Sequence, residues 1–331
     1  MEKNFGKLAD GREARLYTIS GGRVRAQITD FGAALVSIYA DGVDVCLGYD
    51  DVTGYEKQGG YLGAVVGRNA NRVGGSKFVL NGEEVCLEAN EGKNCLHSGF
   101  HCWSHRLWKL ASHTENSLTL TIQSPHGDQG FPGNAEVSVT YTIENNGLTI
   151  EYRALSDQDT VFNLTNHAYF NLFGQNHPER AMEQELMIPA DYFCPDDAEN
   201  IPTGELRSVE GTPFDFRGFK PIGRDIGMDY EPLHLQGGYD HNFVNKGAVC
   251  AVLRNPENGL TMTVTTDCPG VQVYAGNFLE NTGKGGTVYG KRTGVALETQ
   301  FYPDSVNHPE WPQPFVRAGE EYRSVTTYSF R

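Results

Sequence analysis

The fold is read from one stretch. Ser117-Leu118-Thr119-Leu120-Thr121-Ile122-Gln123 is followed by Val137, Val139, Tyr141 and Ile143, then by Asn145-Asn146-Gly147 and Leu148 to Tyr152. In the first run Leu118, Leu120 and Ile122 share one face, the period-two pattern of a half-buried strand. Val137 to Ile143 repeats the pattern. Asn and Gly tolerate the positive φ of a tight turn, so Asn145-Asn146-Gly147 joins two strands as a hairpin. Toward the N-terminus, Val24, Ala26 and Ile28 alternate with Arg25, Gln27 and Thr29. Toward the C-terminus, Ala251–Arg254 and Leu260–Thr265 flank Asn255-Pro256-Glu257-Asn258-Gly259, a second hairpin. Helical spacing is sustained nowhere, and 39 glycines supply turns for many strands. The polar segment Gln175–Arg217 reads as long loops with short strands covering a sheet edge. No Ser/Gly linker, charge run or internal repeat divides the chain. The expectation is one all-β domain over residues 1–331, a large sandwich of twisted antiparallel sheets.

Lys and Arg total 27 against 42 Asp and Glu, a net charge of −15. With no basic patch, the chain is expected to bind neither nucleic acid nor an anionic membrane. No apolar stretch approaches the roughly 18 residues of a membrane helix, and Met1-Glu2-Lys3-Asn4-Phe5-Gly6 does not open a secretory signal. The seven cysteines, Cys46, Cys86, Cys95, Cys102, Cys194, Cys250 and Cys268, form neither a disulfide framework nor a C-x-x-C zinc pair. Free thiols suit a reducing compartment, so a cytoplasmic protein is expected. The sequon Asn163-Leu164-Thr165 lies in a strand-like run and reads as strand rather than as a glycan acceptor.

Ionisable residues on strands point to chemistry. In Val161 to His167, Asn163, Thr165 and His167 share one face. In Thr293 to Glu298, Glu298 shares a face with Ala296 and Gly294, small residues that leave room for a ligand beneath the carboxylate. Pattern alone favours a plainer reading, since polar alternation is what a sheet solvated on one face shows. His97, His101 and His105 recur every four residues, but Gly99, Cys102 and Trp103 between them exclude the helix that would align three metal ligands. His97 sits in a polar turn, where its orientation is expected to be loose. Gly283-Lys284-Gly285-Gly286 lacks the P-loop spacing and reads as a flexible turn, and no G-x-S-x-G elbow occurs.

A larger pattern joins these residues. Gly67-Arg68-Asn69-Ala70-Asn71-Arg72-Val73, Asn94-Cys95-Leu96-His97, Thr165-Asn166-His167-Ala168-Tyr169-Phe170-Asn171-Leu172 and Tyr239-Asp240-His241-Asn242-Phe243 occur in order. Gly270-Val271-Gln272-Val273-Tyr274 with Gly276-Asn277-Phe278-Leu279, Leu297-Glu298-Thr299-Gln300, and Tyr302-Pro303-Asp304-Ser305 with Asn307-His308-Pro309 follow. From about Gly63 to Pro309 the chain thus resembles the aldose 1-epimerase (galactose mutarotase) family. It departs at Ser98, where the family often has Gly, and at Ala168, where Ser or Pro is common.

The resemblance implies a galactose mutarotase-like supersandwich that interconverts the α and β anomers of free hexoses such as galactose and glucose. It implies no cofactor and no metal, and a monomer or homodimer. Glu298 would be the general base on the C1 hydroxyl and His167 the general acid on the ring oxygen. Asn71, Arg72, His97, Asp240 and Gln272 would hydrogen-bond the sugar. A reference pKa of about 4.3 would leave Glu298 ionised, and its charge would favour protonated His167, whose reference is about 6.5. Of the aromatics, Trp311 could stack on a sugar, whereas Phe278 reads better as core. Three alternatives stand beside this reading. A hexose-6-phosphate 1-epimerase would need a basic cluster, for which Arg72 and Arg68 are the candidates. A glycoside hydrolase would use Glu298 with Asp240 as its carboxylate pair. A non-catalytic sugar-binding protein would have no use for both Glu298 and His167.

Overall fold

The computed structural model describes residues 1–331. Ser117–Ser124, Ala135–Glu144 and Gly147–Ser156 are neighbours in a nine-stranded antiparallel sheet, and their apolar positions are buried at every second residue. Asn145 and Asn146 take φ of 51° and 60°, and Gly147 already pairs with Glu144, so the turn is two residues long. The second hairpin pairs Val249–Arg254 with Thr261–Thr266 in the same sheet. The C-terminal strand Glu321–Phe330 lies inside it, between Gly147–Ser156 and Thr261–Thr266.

Two further sheets cover this one. A five-stranded meander, Glu2–Lys7, Glu13–Gly21, Val24–Thr29, Leu35–Ala40 and Val43–Asp44, packs over its first strands. A six-stranded sheet runs in the order Tyr169–Phe170, Val295–Gln300, Gly270–Tyr274, Asp240–Val244, Tyr192–Phe193, Arg207–Ser208 and packs near Val249–Arg254. Ile19 and Ile38 of the five-stranded sheet, Leu120 and Tyr141 of the nine-stranded sheet and Val271 and Leu297 of the six-stranded sheet belong to one continuous core. The α-helices are the six-residue segments Val52–Lys57 and Glu231–Gln236. The architecture is all-β. The Gln175–Arg217 segment contributes strands to both large sheets, Glu185–Met187 to one and Tyr192–Phe193 with Arg207–Ser208 to the other.

Three expectations change here. Val295–Gln300 is buried at all six positions, so it is not a strand with one solvated face. The space beneath Gly294 is filled: a Cβ there would meet Leu47 at 3.0 Å and Tyr169 at 3.1 Å, so the small residues admit packing partners rather than a ligand. Gly283-Lys284-Gly285-Gly286 is pinned, not flexible. Lys284 Nζ donates to Val36 O at 2.7 Å, Ser37 Oγ at 2.9 Å, Asp44 Oδ2 at 2.7 Å and Cys46 O at 2.8 Å.

Candidate active site

The outer face of the six-stranded sheet floors a cleft of about 430 Å³. Asp240 and Glu298 reach it from strands on either side of Gly270–Tyr274, and Gln272 of that middle strand pairs in register with Glu298. Gln272 Nε2 donates to Asp240 Oδ1 at 2.8 Å. His167 follows the short strand Thr165–Asn166, and its Nε2 stands 3.6 Å from Glu298 Oε1. Glu298 Oε2 and His167 Nδ1 are buried without a protein partner.

The opposite wall is built from the strand pair Arg72–Val73 and Cys95–Leu96. Asn71 and His97, at its ends, take φ of 62° and 51°. They bind each other twice: Asn71 N–H donates to His97 Nδ1 at 3.1 Å, and His97 N–H donates to Asn71 O at 3.0 Å. His97 is therefore held firmly, contrary to the loose turn expected of it. An occupied Nδ1 lone pair places the ring hydrogen on Nε2, so His97 acts as a hydrogen-bond donor. Arg72 donates to Glu91 through Nε at 2.6 Å and Nη2 at 2.9 Å.

Burial inverts the expected charges. Desolvation lowers His167 to about 4, and it raises Glu298 well above the usual carboxylate range, with Asp240 adding to the rise and Arg72 opposing it. Burial also drives His97 well below its reference, helped by His167 and Arg72. In the unliganded cleft burial thus favours a neutral Glu298–His167 pair over a charged one, and it disfavours a charged His97. Residue type alone predicted the reverse because it carries no information about desolvation.

A family model described as aldose 1-epimerase matches residues 15–329. The chain belongs to the aldose 1-epimerase family. It is 40% identical over 342 residues to a galactose mutarotase of Mus musculus, covering 98% of this chain and 97% of that one. It is 40% identical over 349 residues to an aldose 1-epimerase of Haemophilus influenzae, covering both chains in full. Among solved structures, an aldose epimerase homologue from C. elegans superposes with a TM-score of 0.89 at 31% identity, over 96% of this chain and 98% of that one. The protein is thus an isomerase on a galactose mutarotase-like fold.

Six of the residues singled out in the sequence, Glu298, His167, Asn71, Arg72, His97 and Asp240, line the cleft together. Gln272 is not on its surface and instead holds Asp240. Phe278 is 70% exposed at the cleft mouth, so it is not core. Trp311 is buried against Tyr302 and His308, outside the cleft. Arg68 is fully buried, donating to Pro132 O, Gly133 O, Ser124 and Thr160, so it offers nothing to a phosphate. Ser98, the departure from the family pattern, bridges the N–H and C=O of Asn69 through its hydroxyl.

The sequence reading missed three tyrosines. The Tyr61 ring stacks 5.9 Å from His167 and meets His97 edge-on at 4.8 Å, while Tyr169 lies 5.0 Å and Tyr274 6.3 Å from His167. Tyr169 and Tyr274 stand inside quoted motifs but look like ordinary strand aromatics, and Tyr61 follows only a Gly59-Gly60 pair. Their rings pack around His167, whose burial lowers its proton affinity.

His97, His101 and His105 form no ligand cluster, and the His105 ring stacks on Tyr61 instead. A different trio, His97, His167 and Glu298, brings three ligand atoms within 4.8 Å of one another. It does not fit a metal ion, because the Asn71 N–H occupies His97 Nδ1 and leaves the hydrogen on Nε2. Two wider depressions, of about 740 and 750 Å³, lie on the nine-stranded sheet and contain none of His97, His167 and Glu298.

Proposed function

We propose that the cleft interconverts the α and β anomers of free galactose and glucose, with Glu298 as general base and His167 as general acid. The observation that carries this reading is the buried carboxyl–imidazole pair, 3.6 Å apart, in a cleft of about 430 Å³ with room for a hexose. In the reactive arrangement Glu298 is a carboxylate and His167 an imidazolium. Glu298 takes the proton of the C1 hydroxyl as His167 gives one to the ring oxygen, and the C1–O5 bond breaks to leave the aldehyde. Rotation about C1–C2 presents the other carbonyl face. The reverse transfers then close the ring with inverted configuration.

The proton count of the pair does not change in ring opening. The charged pair becomes a carboxyl and a neutral imidazole, the arrangement that burial favours. A dry site therefore stabilises the open-chain stage relative to the charged pair that precedes it. The Nε2–H of His97, Arg72 Nη1, Asp240 and Asn71 are the groups that would hold the sugar hydroxyls, with Gln272 orienting Asp240. A phosphorylated hexose fits less well: Arg68 is sequestered, Arg72 is paired to Glu91, and the cleft also carries Asp240, Glu280 and Glu298. As a partner for glycoside hydrolysis, Asp240 is already tied to Gln272. A mere binding protein would gain nothing from burying Glu298 beside His167.

We read residues 1–331 as one domain, supported by a core shared among all three sheets. A cytoplasmic protein is supported by the seven unpaired cysteines, and one that binds neither nucleic acid nor an anionic membrane by the net charge of −15. No helix is long and apolar enough to cross a membrane.

Polarimetry of freshly dissolved α-D-galactose tests the function: the protein should accelerate the drift to equilibrium rotation, and an unchanged spontaneous rate would reject it. The histidines separate in the same assay. His167→Asn should lower kcat by about 10²-fold or more with KM little changed. His97→Asn should raise KM as well as lower kcat, because it deletes a donor used in ground and transition states alike. If His97→Asn is the more damaging to kcat and leaves KM unchanged, the acid is His97.

A further inference from the structure

Glu91 has no place in the chemistry above, yet it lines the cleft. It opens the turn Glu91–Asn94, closed by Asn94 N–H donating to Glu91 O at 2.9 Å, which feeds directly into the strand paired with Arg72. Its carboxylate therefore meets the Arg72 guanidinium from the rim. The Glu91 side chain is 37% exposed and that of Arg72 11%. Nε and Nη2 are both taken, at 2.6 and 2.9 Å, and Nη1 alone has no protein acceptor. This side-on fork fixes the guanidinium plane, which a single contact would not.

The fork also has competitors. Asp240 and Glu298 face the same cleft, and the Arg72 charge acts on both. An untethered guanidinium would fold onto one of these carboxylates and cover the surface the sugar needs.

We propose that Glu91 is a positioning residue for the sugar: it clamps Arg72 so that Nη1 points at a sugar hydroxyl while Asp240 and Glu298 stay uncovered. The proposal rests on reading the cleft as the sugar site. It assigns a role to a half-exposed turn residue that never touches the reacting atoms.

The test uses the full chain, with D-galactose as the probe. Its Kd is read by calorimetry and its kcat and KM by polarimetry. Glu91→Gln keeps the shape but not the charge, and should raise Kd and KM about tenfold while kcat stays within about threefold. Glu91→Asp, which keeps the charge, should recover much of the loss. In an Arg72→Ala background, Glu91→Gln should change Kd by less than about twofold, because its effect passes through Arg72. An unchanged Kd in Glu91→Gln overturns the proposal. So does an equal loss in both backgrounds, which would make Glu91 a direct contact or a part of the scaffold. Wild-type protein that neither binds galactose nor speeds its mutarotation overturns the sugar-site reading and the clamp together. Wild-type protein that does both, matched by Glu91→Gln, removes only the clamp.

Discussion

Glu298→Gln is expected to slow the catalysed mutarotation of α-D-galactose by about 10²–10⁴-fold, the usual contribution of a positioned general base. The amide matches the carboxyl in shape, and the residue is 2% exposed within a strand paired on both sides, so the fold should survive. What disappears is the ability to accept the C1 proton and hold it while the ring is open. Galactose binding should change little, since an amide oxygen still accepts a hydrogen bond from the hydroxyl. The diagnostic result is a collapse of kcat at nearly constant Kd, measured by polarimetry and calorimetry on the same preparation. A variant within about threefold of the parent rate would remove Glu298 from the chemistry. In that event Asp240, which faces the same cleft, becomes the carboxylate to test.

Lys284→Met is expected to give the largest loss of stability, about 3–5 kcal/mol, the range found when one partner of a buried ion pair is removed. Lys284 anchors residues 284–286 to the five-stranded sheet, with four acceptors on one ammonium. Methionine preserves most of the stem. It strands the Asp44 carboxylate, 14% exposed, and leaves the carbonyls of Val36 and Cys46 without that donor. The neighbouring residues Leu279, Glu280 and Asn281 line the cleft, so galactose affinity should fall along with stability. Urea unfolding followed by fluorescence reads the first effect. A loss under about 1 kcal/mol would mean that the loop is held by its backbone contacts instead, Lys284 N–H to Gly48 O and Gly285 N–H to Asp50.

These two residues mark how far the sequence could be read. Glu298 and His167 were legible because alternation along a strand, joined to an ordered set of motifs, singles out specific positions. Asp240, Asn71 and Arg72 were legible only through the motifs, since a turn aspartate or an isolated arginine carries no signal of its own. Lys284 was misread because a Gly-flanked lysine looks mobile until its acceptors, some 240 residues distant in the chain, are brought to it. Glu91 and Tyr61 were missed for the same reason: a charge in a turn and a tyrosine after two glycines acquire meaning only from what folds against them. The direction in which burial shifts Glu298 and His167 was missed for a different reason. Desolvation depends on every element that closes over Glu298 and His167, and strand periodicity does not register it.

The strand order of the nine-stranded sheet has a consequence for synthesis. Glu321–Phe330 separates Gly147–Ser156 from Thr261–Thr266, so it is a central strand although it is made after both of them. Until those ten residues leave the ribosome, the nascent chain presents two open edges, each with unpaired N–H and C=O groups and an apolar face. Such edges are templates for pairing with another chain. The hazard is greatest in the interval when Glu298 and His167 have been translated but the nine-stranded sheet has not closed. A chain cut before residue 321 would therefore be lost to aggregation with every cleft-lining residue intact, and a chaperone that shields strand edges would matter most before this strand emerges.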